Sequence, residues 1–181
     1  GTDAPAGAAA TTASAIVAQL DRLSLWAGRL AAVCCALMAA CTGAVVVMRY
    51  GLGAGSVALQ EFVSYLHSAV FMLGAGFTLQ RQGHVRVDIF YRRFSERSRA
   101  WIDSLGAIVF LFPLCVFIAI VSHGYVVDAW SIREASGDPG GLPVVFVWKS
   151  LIPLMAVLLL LQGSTEILRN LMILSAPPRS C

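Results

Sequence analysis

Between Arg29 and Arg49 the chain reads LAAVCCALMAACTGAVVVM, residues 30–48, a run without a single charged side chain. A helix of about 20 apolar residues matches the ~30 Å hydrocarbon thickness of a bilayer. Helix is also the form in which such a run satisfies its own backbone N–H and C=O groups in lipid. Three more runs of this kind follow, over 57–79, 105–127 and 144–168. The last begins just after a breaker cluster, Asp138-Pro139-Gly140-Gly141-Leu142-Pro143. The spacing therefore predicts an all-α membrane protein with four transmembrane helices, and Pro113 and Pro153 are expected to kink the third and fourth. Composition agrees. Of 181 residues, 58% are hydrophobic and 13% charged, against roughly 25% charged in a soluble domain. That excludes a soluble enzyme, and so apolar a chain is not a disordered one. The net charge of +3 is too small to indicate a nucleic-acid partner.

The basic residues predict an orientation. Arg81, Arg86, Arg92, Arg93, Arg97 and Arg99 lie between the second and third runs. If that segment faces the cytoplasm, Arg22, Arg29, Arg169 and Arg179 do too, and ten of the thirteen Lys/Arg lie inside. Only Arg49, Arg133 and Lys149 remain outside. The positive-inside rule then puts both termini in the cytoplasm. Trp26 and Trp101 fall at the inner interface; Trp130, Trp148, Tyr50 and Tyr125 fall at the outer one.

The remaining segments are shorter. Residues 1–20 are rich in Ala, Thr and Gly, lack the basic start of a secretory signal, and read as a flexible tail. The membrane domain covers 21–174, and 175–181 form a second tail. Within 85–94, Val87, Phe90, Tyr91 and Phe94 recur at helical spacing with Arg86, Asp88, Arg92 and Arg93 around them. That pattern predicts a short amphipathic helix lying in the membrane plane, arginines toward anionic headgroups. Ser95 is placed to cap the helix that follows. Cys34, Cys35, Cys41 and Cys115 sit in apolar runs without metal-ligand spacing and read as small hydrophobes. Gly43, Gly74 and Gly76 allow helices to approach closely, within the chain or against a partner.

Ionisable residues inside spans mark candidate functional sites. Glu61 lies one turn into the second span, at the level of Arg49. Three readings are open: an Arg49–Glu61 ion pair fixing the hairpin, a subunit contact through Gln60, Glu61 and Ser64, or a carboxylate for a coupling ion. His67 and His123 could share a depth, which leaves open a haem held between them in a small electron-transfer protein. The plainer reading gives each a hydrogen bond to a neighbouring helix or to interfacial water. Lys149 is expected to snorkel or to pair with an acid such as Glu134, and Glu166 to pair with Arg169 three residues on. No nucleotide-binding, hydrolase or metalloprotease motif is present, and no site residue suggests catalysis.

In this order and spacing the chain resembles the DctQ-type small membrane subunit of tripartite ATP-independent periplasmic (TRAP) transporters. The resemblance runs from about residue 25 to 174. It rests on Arg49-Tyr50, on Gln60-Glu61-Phe62 and above all on Leu79-Gln80-Arg81-Gln82-Gly83-His84-Val85-Arg86-Val87-Asp88. Trp130, Arg133-Glu134-Ala135-Ser136, Gly141-Leu142-Pro143, Lys149 and Ile152-Pro153 complete it. The segment 135–141 is similar to the branch associated with 2-oxoacids and labelled mannitol/chloroaromatic. The resemblance implies a partner of about twelve spans that carries the substrate and sodium sites, and a periplasmic binding protein that delivers the substrate. It implies an inner-membrane location and a scaffold role, with no cofactor bound by this chain and the sodium gradient used by the complex. Arg49, Gln60, Glu61, His84, Arg86, Asp88, Arg92, Arg93 and Lys149 are then the candidate contacts with the partner subunit or with lipid. A self-sufficient exporter built on Glu61 is the competing transport reading.

Overall fold

Alanine is the strongest helix former, and the Ala-rich start of the chain is helical. In the computed structural model, which describes residues 4–81 and 94–175, with side chains from residue 15, helix α1 runs unbroken over Ala4–Gly51. Residues 4–20, expected as a tail, thus belong to the first helix. Gly53, at φ +64, ends it by letting the Ala54 N–H reach back to the Met48 carbonyl at 3.0 Å. Ser56 then caps helix α2 (Val57–Gln80), its hydroxyl accepting the Leu59 N–H at 3.3 Å.

Ser95 caps the next helix as its sequence position predicts, accepting the Ser98 N–H at 3.3 Å. That helix, α3 (Glu96–Gly106), passes through a π-helical turn, Ala107–Leu111, into α4 (Phe112–Ser131). Pro113 follows the turn. Its ring cannot tolerate the carbonyl four residues back, and the wider i→i+5 turn, closed by the Phe112 N–H on the Ala107 carbonyl, is where the helix adapts. α4 ends with Arg133 at φ 47, the Glu134 N–H bonding the Ala129 carbonyl at 2.9 Å and the Arg133 N–H the Trp130 carbonyl at 3.3 Å. This is a Schellman stop with Arg where Gly is usual. A short helix, α5 (Val145–Lys149), breaks at Ser150 before α6 (Leu151–Ser175). Pro153 lies in the first turn of α6, where its missing N–H costs nothing.

Four helical stretches are long and apolar enough to cross a membrane: Ala15–Gly51, Val57–Gln80, Glu96–Ser131 and Val145–Ser175. Each contains one of the four expected runs, except that the last begins one residue later, at Val145. The longer reach comes from polar turns that extend a span without adding apolar residues, as α3 does for the third. α1 packs on α2, α2 on α6, and α6 on α3 and α4; α1 also touches α6. α6 therefore lies between α2 and α4. The loops 52–56 and 132–144 share one end of the bundle, and the beginning of α3 and the close of α6 lie at the other. Contacts are made through small residues. Ala27, Ala31, Leu73 and Leu158 form the core cluster, with Ala69 against it. A Cβ on Gly76 would lie 3.4 Å from that of Leu158. At most 17% of the apolar stretch of any span is buried within the chain, and only 6% of the first. The helices thus present wide apolar faces to lipid or to another protein.

The amphipathic helix expected over 85–94 lies outside the described residues, apart from Phe94, which is exposed and non-helical.

Candidate functional site

Polar side chains gather at the two ends of the bundle. At the loop end, residues 134–143 fold into a compact turn because Gly140 adopts φ +80. The Gly141 N–H bonds the Asp138 carbonyl at 2.9 Å, and the Ser136 N–H bonds the Leu142 carbonyl at 3.0 Å. The Asp138 N–H reaches the Ser136 hydroxyl at 3.2 Å. Glu61, in the second turn of α2, clasps this turn. One carboxylate oxygen accepts the Leu142 N–H at 2.7 Å, and the other accepts the Ser136 hydroxyl. The expected Arg49–Glu61 pair is not formed among the described residues; Arg49 is exposed. The loop itself holds the backbone N–H of Leu142 and the Ser136 hydroxyl against the carboxylate, so each oxygen already has a donor without Arg49.

Beside the clasp, Lys149 pairs with Glu134 and stands 3.9 Å over the Tyr125 ring. The Trp130 indole N–H donates to the Ser150 hydroxyl at 2.8 Å, its ring lies edge-on to Phe146, and Trp148 stacks on Tyr65 with centroids 4.6 Å apart. α2, α4, α5 and the loop are locked together at this end. Clasp loss is an expected outcome of two substitutions. Glu61→Ala removes both acceptors, and Gly141→Ala drives a methyl group to 2.6 Å from the Ser136 Cβ and 2.7 Å from a Glu61 oxygen. Either should speed amide exchange at Leu142 about tenfold or more. Glu61→Gln keeps a carbonyl acceptor and should preserve most of the protection. Unchanged exchange in Glu61→Ala would show that the loop does not depend on this carboxylate.

The opposite end is tied by a seam running from α1 to α6. Arg169 donates to Glu166 at 2.9 Å, as its spacing predicts, and also pairs with Asp21 on α1. The Gln80 side-chain amide donates to the Asp21 carbonyl at 3.2 Å. The Ser24 hydroxyl donates to Gln162 at 2.6 Å, and both residues are buried. Thr165, fully buried, turns its hydroxyl back onto the Leu161 carbonyl at 2.9 Å. Three helices meet on Asp21 and Arg169. Sequence reading found only the Glu166–Arg169 part. The overlooked signal was the run of polar residues Gln162, Thr165, Glu166 and Arg169 at steps of three and one, a polar stripe inside an apolar span.

The candidate contact residues divide accordingly. Glu61 and Lys149 are engaged within the chain; Arg49 and Gln60 remain exposed. His84, Arg86, Asp88, Arg92 and Arg93 lie outside the described residues. His67 and His123 are both exposed, on helices that pack on opposite sides of α6. Among the described residues no group of three or more His, Cys, Asp or Glu is placed to hold a metal ion.

Comparison with known families gives a match over most of the chain. The model for tripartite ATP-independent periplasmic transporters, DctQ component, matches residues 38–172, from the middle of α1 to near the end of α6. Neither the curated proteins nor the solved structures yield a match.

Proposed function

Since this chain belongs to the DctQ component family of tripartite ATP-independent periplasmic transporters, a family of transporter components rather than enzymes, we propose that it is a static brace for the large transport subunit of a sodium-driven uptake system. The match over residues 38–172 carries this reading, because it takes in the close of the first span, the other three spans up to residue 172 and the whole clasp loop. The cargo is an organic acid delivered by a periplasmic binding protein, and the membrane is the bacterial inner membrane. Both termini face the cytoplasm, an orientation supported by the ten-to-three split of basic residues that it produces. The clasp loop then faces the periplasm and the Asp21–Arg169 seam the cytoplasm.

A brace needs rigidity more than chemistry. Polar ties at both ends resist the sliding of helices whose middles touch through small residues. No cofactor is bound by this chain; the sodium gradient acts through the complex. Co-expression with the large membrane subunit tests the reading. The two should co-purify in detergent with the unaltered chain, and a cysteine-directed, membrane-impermeant reagent should label a cysteine placed at Gly137 in intact spheroplasts but not one placed at Ser98. Labelling at Ser98 alone would invert the orientation, and a chain that never co-purifies with a large subunit would remove the brace role.

A further inference from the structure

Helix α2 has two faces of different character. Leu66, Leu73 and Gly76 are buried, with Gly76 against Leu158 of α6. On the far side, Gln60, Ser64, His67, Phe71, Gly74 and Thr78 recur at alternating steps of four and three. At 100° per residue they form one stripe, about 150° around the helix from the buried face. Gln60, Ser64, His67 and Phe71 are exposed; Gly74 and Thr78 are partly so. Phe71 and Gly74 border a shallow groove of about 290 Å³, completed by Val70, Ala75 and Thr78. A Cβ on Gly74 would meet nothing within 4 Å.

The outward face of the third span offers a contrast. Phe110, Leu114, Phe117 and Val121 recur at the same spacing and are 75%, 56%, 64% and 60% exposed. A row of bulky apolar side chains suits acyl chains. The α2 stripe does not. His67 is the eleventh of the 24 residues of α2, about half a turn beyond Tyr65, which stacks on Trp148 of the outer aromatic belt. Among the described residues its ring meets Phe71 at 6.3 Å and makes no hydrogen bond. An imidazole turned to hydrocarbon without a partner is costly. Ser64 and Thr78 satisfy their hydroxyls on their own helix, at the Gln60 carbonyl (3.3 Å) and the Gly74 carbonyl (2.8 Å), and so leave a small, smooth surface on either side of His67.

We propose that the stripe Gln60–Ser64–His67–Phe71–Gly74–Thr78 is the seam on which a transmembrane helix of the large membrane subunit docks. The partner helix presents a hydrogen-bonding side chain to His67 and a bulky apolar side chain to the groove at Gly74. The alternating four-three spacing fits a left-handed helix pair crossing at about +20°. This assignment rests on the small-subunit reading above.

The test uses the full chain co-expressed with its large subunit in membranes. A photo-crosslinking amino acid in place of Phe71 should give an adduct with the large subunit; the same group in place of Phe117 should give none. Gly74→Trp should cut co-purified large subunit about tenfold or more, while Phe117→Ala leaves it unchanged. The variant's own helical content and membrane yield should match the unaltered chain, since Gly74 faces open space. Adducts from Phe117 but not Phe71 overturn the seam, as do Phe71 adducts only with lipid or only with a second copy of this chain. If the unaltered chain fails to co-purify with a large subunit, the small-subunit reading falls and takes the seam with it. Co-purification with adducts elsewhere sinks the seam alone.

Discussion

Arg169→Ala should lower the apparent melting temperature of the detergent-solubilised protein by about 4–8 °C, from about 2 kcal/mol at this chain length. The substitution removes the cation that two carboxylates share. Arg169 donates to Glu166 and to Asp21, which sit 19% and 20% exposed on different helices. Breaking a fully buried pair by removing one partner costs about 3–5 kcal/mol; water reaching these groups screens part of that. Asp21→Asn keeps an acceptor for Arg169 and leaves Glu166 paired, so its effect should be less than half as large. In the Asp21→Asn, Arg169→Gln double variant only Glu166 remains charged, and stability should recover part of the loss. If Arg169→Ala melts where the unaltered protein does, the seam contributes no rigidity, and that end of the bundle is held by something else.

A second large effect comes from the α1–α2 contact. Gly28 lies beneath the Phe77 ring, where a Cβ would stand 2.6 Å from two ring carbons. The contact is with the root of the side chain, its Cβ at 3.1 Å, so rotating the ring alone does not relieve it. Gly28→Leu should therefore destabilise by about 3 kcal/mol, the upper range for overpacking. Gly43, on the same helix, meets nothing within 4 Å. Gly43→Ala should stabilise by about 0.5–1 kcal/mol through helix propensity alone. Thermal melts of the two variants in one detergent read the opposite signs. Equal effects at both positions would mean that helices α1 and α2 do not approach through Gly28.

These contrasts show how far the sequence could be read. The spans were legible because lipid imposes a length and a composition, and the run 30–48 meets both without ambiguity. Ser95 was legible as a cap because capping is local. Glu61 is legible as a group needing a partner, but of the readings left open the Arg49 pair is not the contact made within the chain. Arg49 is nearer along the chain and opposite in charge, whereas Ser136 and Leu142 lie 75 and 81 positions away. Sequence distance hides such contacts, and a backbone N–H leaves no trace in residue type. The glycines show the same limit. Gly43, Gly74 and Gly76 look alike in sequence, but only Gly76 meets another helix within the chain, while Gly28 and Gly163 do so unannounced. Helix rotation decides which face a small residue serves, and rotation is set by neighbours. The Ala-rich start was misread because low complexity suggested a tail, although alanine favours helix.

Whether this chain braces or transports is settled by solute uptake into vesicles under an inward sodium gradient, with a panel of radiolabelled organic acids. Vesicles holding this chain, the large subunit and the periplasmic binding protein should accumulate one of the acids, and omission of this chain should abolish that uptake. Vesicles holding this chain alone should accumulate none; sodium-dependent accumulation by the lone chain would contradict the passive role assigned to it.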